Sequence, residues 1–403
     1  MWRVPLYPQG VMNPHTWGKE RQYVARYVVT FDTPDAGILQ AEAPDLLTSY
    51  GFSTDTYFPR LGIGVVDGQR AQLASLSERC HELRRPMTFT PELTYHAITE
   101  LLPSTGTGEP PFEDTAELTW GLQAIGIDSA MVARQSGTGV RVAVLDTGFD
   151  VTHPDFSARG VVAQSFVREE DPHDAHGHGT HCAGTACGPW EPHSGPGYGV
   201  APGSEIYAGK VLGDEGAGSD TSILAGIDWA LQNDCHVISM SLGADVREVH
   251  PPYVAAGRRA MEQGALIIAA AGNNAQRNAG VPGFVGAPAN SPHVLAVAAV
   301  GPDLCTADFS ARSSAHAGGE VNLTAPGVEV HSAWLGEDRY RRISGTSMAA
   351  PHVSGIAALV CGATGARGDE LWECLLDHVS PLAHSDPLDV GAGLAKLPET
   401  DSW

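Results

Sequence analysis

Four predominantly apolar runs constrain the fold of this 403-residue chain more than any other feature of its sequence. They cover residues 140–145, 237–242, 265–271 and 294–300. Because apolar and polar residues do not alternate in them, each run is typical of a strand that is buried on both faces. Such strands form parallel sheets covered by helices, and helical patterns over 220–232 and 253–263 supply two crossovers. The sequence therefore predicts an α/β, doubly wound domain with a mostly parallel sheet.

The first hundred residues carry a smaller pattern of short apolar runs and helix-like stretches. The predicted strands cover residues 24–31, 52–59, 61–66 and 93–98, and the predicted helices cover residues 43–50 and 69–83. The order β-α-β-β-α-β predicts a small α+β domain of the ferredoxin-like kind.

A weak spacer separates the two patterns. Residues 103–117 contain a run of Pro, Gly and Thr, which predicts a flexible and cleavable linker. We therefore expect three parts: a small domain over 1–102, a linker over 103–117 and the α/β domain over 118–403.

The charge of the chain excludes two classes of partner. The formal net charge is -23, with 47 acidic against 24 basic residues. Phosphate backbones and anionic lipid surfaces repel such a protein, so neither nucleic acid nor membrane is expected as a partner. No apolar run reaches about 18 residues, so no transmembrane helix is expected. The first residues lack the pattern of a secretory signal, which favours the cytoplasm, although secretion follows if a signal has been removed.

Seven cysteines do not form a recognisable framework. Their number is odd, their spacing is wide, and no C-x-x-C pair predicts zinc. Reduced structural thiols are expected, with one or two disulfides as the alternative.

Reactive side chains stand where predicted strands end or a predicted helix begins. Asp146 follows the strand over 140–145, and Asn273 follows the run over 265–271. Ser347 stands where a Gly-containing turn opens a helix of small residues, and His178 stands in a Gly-rich segment. A hydroxyl nucleophile needs a base, a carboxylate that orients the base, and a donor for the oxyanion. The chain offers all four, in the order Asp, His, Asn, Ser.

Here the sequence resembles the subtilisin-like serine proteases, the peptidase S8 family, over roughly residues 119 to the 390s. The matching motifs are VLDTG at 144–148, HGTH at 178–181, AAGN at 270–273 and GTSMAAPH at 345–352. The His motif is followed directly by Cys182, and a cysteine at this position most resembles the proteinase K branch of the family. The resemblance implies a serine endopeptidase in which Ser347 is the nucleophile, His178 the general base and Asp146 its partner. The Asn273 amide and the Ser347 N–H would form the oxyanion hole.

The resemblance also implies a substrate cleft. Ser241, Leu242 and Gly243 would form one wall of the S1 pocket, Ala271 and Gly272 the other, and Gly286 its floor. Small residues there predict large hydrophobic residues at P1, the residue before the cut. The edge segment Gly216, Ala217 and Gly218 would pair with the substrate backbone by strand addition.

The small N-terminal domain resembles the inhibitory propeptide of the family in its order of strands and helices. This resemblance implies a self-processing zymogen whose propeptide is an intramolecular inhibitor and folding chaperone. The cut is expected between residues 98 and 119. We expect polypeptide substrates and a monomer.

No cofactor is expected for the chemistry, and structural calcium is an open alternative. Asp155 matches a position that often binds calcium in the family, but the loop over 188–199 lacks the usual Asn ligand. The cluster Asp171, His173, Asp174 and His176 reads as a solvated loop, with a metal site as the alternative. A binding module or inactive relative that keeps its propeptide is the competing function.

Overall fold

Residues 25–91 form a small four-stranded antiparallel sheet with two helices. The structure is a computed structural model that describes residues 25–99, 110–128, 135–314, 318–383 and 385–397. The small unit contains β1 (Ala25–Phe31), α1 (Ala43–Ser49), β2 (Tyr57–Phe58), β3 (Ile63–Gly68), α2 (Arg70–Glu82) and β4 (Met87–Pro91). Its strand order, β2-β3-β1-β4, is that of a ferredoxin-like sheet.

Side chains alternate along β1, so successive residues point to opposite faces of the small sheet. Both faces are buried. Val29 and Phe31 pack with the helices α1 and α2 of the same unit. Val28 packs on the other face, in a core that it shares with the larger unit. The small unit is therefore docked on the rest of the protein through its sheet.

The last strand predicted for the small unit lies elsewhere. The sequence predicted a closing strand over 93–98, but β4 closes the sheet instead. Strand β5 (Thr94–Ala97) lies between β9 (Ala217–Ser219) and β11 (Leu242–Gly243) and pairs antiparallel with both. Residues 94–97 thus leave the small unit and add a strand to the large one.

The predicted buried strands lie side by side in a nine-stranded sheet. Its strands are β6 (Arg141–Asp146), β7 (Val161–Ser165), β8 (Glu205–Lys210), β10 (Val237–Met240), β12 (Leu266–Ala270), β13 (Val294–Val300), β14 (Leu323–Pro326), β17 (Val379–Ser380) and β18 (Leu394–Ala395). They follow the order β17-β18-β14-β13-β12-β10-β6-β8-β7, and only the β17–β18 pair is antiparallel among those described. A separate ribbon contains β15 (Val330–Ala333) and β16 (Tyr340–Ile343).

Helices cover both faces of this sheet, as predicted. The described helices of the large unit are α3 (Trp120–Ala124), α4 (His178–Cys187), α5 (Asp220–Gln232), α6 (Pro251–Glu262), α7 (Thr346–Thr364), α8 (Gly368–Asp377) and α9 (Pro387–Val390). On one face Val142 and Val144 pack in a core with α4 and α7. On the other, Ala143 and Leu145 pack in a core with α5 and α6. The α/β, doubly wound prediction is confirmed.

Helix α7 is long and apolar enough to cross a membrane by length and composition. However, 89% of its 18-residue apolar window is buried inside the fold, as in a core helix. Its apolarity therefore serves the packing against the central strands.

Part of the predicted linker is packed on the large unit. Residues 1–24 and 103–109 lie outside the described residues. Over 110–117, Phe112 contacts the core, Asp114 accepts a hydrogen bond from the Trp120 N–H at 2.7 Å, and the Glu117 carbonyl accepts one from Gly197. The seven cysteines are all free thiols.

Candidate active site

Asp146 and His178 form a buried pair at the carboxyl end of the central sheet. Strand β6 ends at Asp146 and helix α4 begins at His178, and both residues are 0% exposed. His178 Nδ1 lies 2.7 Å from Asp146 Oδ1. The Asp146 carboxylate thereby holds the ring so that Nε2 faces away from it. Nε2 has no hydrogen-bond partner among the described residues, so it is available to accept a proton.

The pKa of His178 is raised well above its usual range. Burial acts to lower this pKa, but the adjacent Asp146 carboxylate stabilises the charged imidazolium and outweighs burial. The ring therefore takes up a proton more readily than an unperturbed imidazole, whose pKa is about 6.5.

Asp174 connects the two segments that carry this pair, a role that the sequence did not reveal. Its side chain is fully buried, and Oδ1 accepts hydrogen bonds from the Thr147 hydroxyl and the Gly177 N–H. Oδ2 accepts from the Thr180 N–H at 2.9 Å, inside the first turn of α4. The expectation of a solvated loop is therefore wrong for Asp174. The signal was an aspartate shortly before a helix start, which is typical of a capping residue.

Ser347 is the second residue of α7, and Cys182 Sγ lies between it and the pair, 3.8 Å from His178 Nδ1 and 3.5 Å from the Ser347 carbonyl oxygen. The Ser347 Oγ donates a hydrogen bond to the Ser241 carbonyl at 3.0 Å. The Ser241 hydroxyl donates in return to the Ser347 carbonyl at 2.8 Å. Since the N–H groups of a first helical turn have no acceptor within the helix, the Ser347 N–H is free to bind an anion.

Asn273 directs its amide N–H₂ group toward the same helix start. Its Oδ1 accepts hydrogen bonds from the N–H and the hydroxyl of Thr346, at 3.0 and 2.9 Å. The Thr346 hydroxyl is held in turn by the Gly272 N–H at 3.1 Å. These bonds fix the orientation of the amide, and Nδ2 is buried without a partner in the part of the chain that the structure describes. A buried donor without an acceptor is costly unless a ligand uses it.

Residues 94–99 of the chain itself lie in the cleft beside these groups. His96 is paired with Gly243 and Ala97 with Leu242, and the Ala97 N–H also donates to the Gly216 carbonyl at 2.9 Å. On the other side, Tyr95 is paired with Gly218 and His96 with Ala217. The structure thus brings the predicted edge segment, residues 216–218, against an extended peptide.

The Ile98 carbonyl reaches the start of α7. A Cβ atom placed on Gly345 would lie 2.6 Å from the Ile98 oxygen and 3.1 Å from Asn273 Nδ2. A side chain at residue 345 would therefore fill the space between the carbonyl and the amide. The close approach explains why glycine precedes the Thr346–Ser347 helix start.

A cleft of about 410 Å³ lies beside Ile98, and several predicted S1 residues line it. They are Gly243, Ala271, Gly272 and Gly286. A Cβ on Gly243 would lie 2.7 Å from Ile98 Cδ1, so the peptide side chain packs directly on that wall. Two residues that were predicted for the wall of the S1 pocket have other contacts. The Ser241 hydroxyl donates a hydrogen bond to the Ser347 carbonyl, and Leu242 is buried in the core.

The predicted calcium ligand Asp155 does not fit a calcium ion. Its side chain is 1% exposed, and Oδ1 accepts from the His193 N–H at 2.6 Å. Oδ2 accepts from the Tyr198 hydroxyl at 2.7 Å, and the Tyr340 hydroxyl lies 3.0–3.1 Å from both oxygens. Calcium requires carboxylate lone pairs that face the ion, whereas these face N–H and O–H hydrogens. The hydrogen bonds at Asp155 therefore do not fit the calcium alternative.

His181, the second histidine of the motif, is structural. Its Nε2 lies 3.0 Å from the Val330 carbonyl, and burial lowers its pKa to about 3. The ring is neutral and tied to the β15–β16 ribbon.

A doubly wound α/β sheet with an aspartate–histidine pair, a serine and an amide donor is the arrangement of a serine hydrolase. The peptidase S8 model, described as the subtilase family, matches residues 137–373. This chain belongs to the subtilase family. The subtilisin-like resemblance predicted from the motifs is thereby confirmed.

Named relatives agree with this assignment. The chain is 42% identical to a thermostable alkaline protease of Halalkalibacterium halodurans over 255 residues, 62% of this chain and 65% of that protein. It is 40% identical to subtilisin Savinase of Lederbergia lenta over 242 residues, 60% of this chain and 83% of that protein. The chain thus spans somewhat less than two thirds of the first of these relatives.

A solved structure is similar over nearly the whole chain. It is the crystal structure of fervidolysin from Fervidobacterium pennivorans, a keratinolytic enzyme related to subtilisin. The match has a TM-score of 0.70 at 25% identity and covers 93% of this chain and 60% of that one.

Proposed function

We propose that this protein is a self-processing serine endopeptidase that cuts peptide bonds through Asp146, His178 and Ser347. The observation that carries the proposal is the peptide at 94–99, which lies beside Ser347 with the Ile98 carbonyl next to an unpartnered amide donor. Family membership and the names of the relatives support the same activity.

The proposed reaction begins at the Ser347 hydroxyl. A rotation about χ1 takes Oγ from the Ser241 carbonyl toward His178 Nε2, which accepts its proton as Oγ attacks the carbonyl carbon. The negative charge on the carbonyl oxygen is stabilised by Asn273 Nδ2 and the Ser347 N–H. The intermediate then expels the amine, which takes the proton back from His178. Water, activated by the same ring, hydrolyses the acyl-enzyme on Ser347.

The register of the bound strand supports a particular position for the proposed cut. Gly243 is paired with His96 and Leu242 with Ala97, so Ser241 comes opposite Ile98. Ser241 is the residue whose carbonyl holds the Ser347 hydroxyl. The bond between Ile98 and Thr99 is therefore the proposed site of self-processing. Ile98 in the 410 Å³ cleft also supports a preference for large hydrophobic residues at P1.

The proposed role of the small unit as inhibitor and chaperone rests on its docking contacts. The buried Arg259 of α6 donates to the Phe31 carbonyl at 2.7 Å and to the Thr33 carbonyl at 3.2 Å. These contacts do not involve the cut bond, so they persist after cleavage. The strand at 94–97 then keeps the cleft filled until the small unit leaves.

A fluorophosphonate probe tests the proposed activity directly. After processing, we expect the probe to label Ser347 and the protein to hydrolyse a quenched polypeptide. Ser347→Ala should lose both. Ser354→Ala is a matched control, because Ser354 lies on the same helix with its hydroxyl bonded to the Ala350 carbonyl. Equal hydrolysis by Ser347→Ala, or no labelling of processed wild-type protein, would reject the proposal.

A further inference from the structure

Strand β9, which pairs with the peptide in the cleft, has a single strand partner among the described residues. That partner is β5, and β9 lies at the outer edge of the three-stranded sheet β11-β5-β9. In the proposed mechanism β5 leaves with the small unit, so β9 then loses this partner. Other contacts have to keep β9 in position until a substrate strand arrives.

The two ends of β9 are held in different ways. Its last residue, Ser219, forms a capping box with Ser222 at the start of α5. Its first residue belongs to a turn over residues 213–217, which is closed by the Gly213 N–H on the Ala217 carbonyl at 2.8 Å. This bond joins the turn only to itself, so the attachment of the turn to the domain comes from another contact.

A buried ammonium group supplies that attachment. Lys210, the last residue of β8, is 0% exposed. Its Nζ donates to Asp214 Oδ1 in the turn at 2.7 Å, to the Thr147 carbonyl at 2.9 Å and to the His173 carbonyl at 3.2 Å. Thr147 follows Asp146, and His173 lies in the loop before α4. The three N–H groups of the ammonium thus link the turn to the two segments that carry the catalytic pair.

Glu170 adds a second link between the turn and the loop before α4. Its Oε2 accepts from the Asp214 N–H at 3.0 Å and lies 3.3 Å from Lys210 Nζ. The hydrogen bond from Lys210 also lowers the pKa of Asp214, so this carboxylate stays charged. Because a buried ammonium is costly without such partners, burial of Lys210 favours the position of the turn in which both carboxylates reach it.

We infer that Lys210, through Asp214 and Glu170, is a positioning residue that keeps residues 216–218 ready for a substrate strand while the cleft is empty. A binding edge that is already ordered does not have to be ordered when the substrate binds. Substrates long enough to pair with residues 216–218 therefore depend on Lys210, whereas a substrate that occupies only the P1 site does not. This inference rests on the proposed endopeptidase activity.

Two substrates of different length test the inference on the processed protein. One is a quenched peptide with the sequence of residues 93–99, and the other is an acetyl-isoleucine ester, which has the same P1 residue and nothing that reaches β9. The quantity compared is kcat/KM for the peptide divided by kcat/KM for the ester. Asp214→Ala should lower this ratio about threefold to fivefold, the size expected for a partly exposed charge pair. Lys210→Met should lower it by about tenfold or more, because it removes every bond of the ammonium.

Glu215→Ala is the matched control, and its ratio should equal that of wild type. Glu215 is the next residue of the turn and is exposed, and among the described carboxylates those of Asp214 and Glu170 reach Lys210. A ratio in Asp214→Ala equal to that of wild type would overturn the inference and leave the endopeptidase in place. No cleavage of the peptide by wild type would overturn both. The Asp214 variant decides the inference even if Lys210→Met does not fold, because the Asp214 side chain is 52% exposed.

Discussion

At the scale of single residues, the oxygen and the nitrogen of the Asn273 side-chain amide have different surroundings. Oδ1 is held by the N–H and hydroxyl of Thr346, so the side chain has one orientation. Nδ2 is buried and unpartnered, next to the Ile98 carbonyl across Gly345. A donor fixed in place before the reaction stabilises the oxyanion without reorganisation.

Replacement of Asn273 by alanine should lower kcat while leaving KM nearly unchanged. The expected loss is about 10²–10³, the size known for removal of this kind of donor in subtilisin itself. Steady-state kinetics on a quenched peptide measure it. Asn233→Ala is the control, because the Asn233 amide bonds the Trp229 carbonyl at the far end of α5. An unchanged kcat would remove Asn273 from the proposed mechanism.

Prediction from sequence was most specific for residues whose neighbours form a motif. Asp146 and His178, predicted from their motifs, lie 2.7 Å apart. The contacts of Asp174 and Asp220 were not predicted, because their hydrogen-bond partners are distant in the sequence and only the fold brings them near. Asp174 is fixed by Thr147, 27 residues away, and Asp220 by Leu93, 127 residues away.

At the scale of elements, the loop over 188–199 surrounds the Asp155 carboxylate with hydrogen-bond donors. It brings the His193 N–H and the Tyr198 hydroxyl to Asp155, and β16 brings the Tyr340 hydroxyl. The rings of Tyr198 and Tyr340 also pack edge to face, 5.9 Å apart. The buried charge of Asp155 is thus compensated by donors from three segments.

This arrangement predicts that calcium does not stabilise the protein through Asp155. Any shift in Tm on adding calcium should be the same in wild type and Asp155→Asn. Tyr198→Phe should lower the free energy of unfolding by about 1.5–3 kcal/mol, because it removes a hydrogen bond from a buried charged group. Thermal and urea unfolding measure both effects. A calcium-dependent rise in Tm that is present in wild type and absent in Asp155→Asn would contradict the assignment.

The strand predicted over 93–98 shows that sequence periodicity does not determine which strands a given strand pairs with. The extended pattern over 93–98 was correctly predicted to be a strand, since β5 covers Thr94–Ala97. Its partners were not predictable, because a strand pattern states which faces are buried but not which edge it joins. The continuous apolar runs left no such choice: a strand that is buried on both faces has to lie inside a covered sheet.

At the scale of the whole molecule, one chain holds both the catalytic groups and a peptide that occupies their cleft. The small unit docks on α6 through Arg259, and β5 continues from it into the cleft. With residues 94–99 in place, His178 and Ser347 are 0% exposed. In the proposed mechanism, external substrates therefore reach Ser347 only after the cut and the departure of the small unit.

The identity of the first cut tests the central claim most directly. Intact mass and terminal sequencing of freshly folded wild type should reveal a fragment that ends at Ile98 and a partner that begins with Thr99. Ser347→Ala should remain one chain. A first cut at another bond, or the same cut in Ser347→Ala, would contradict the claim that Ser347 cleaves the Ile98–Thr99 bond lying beside it.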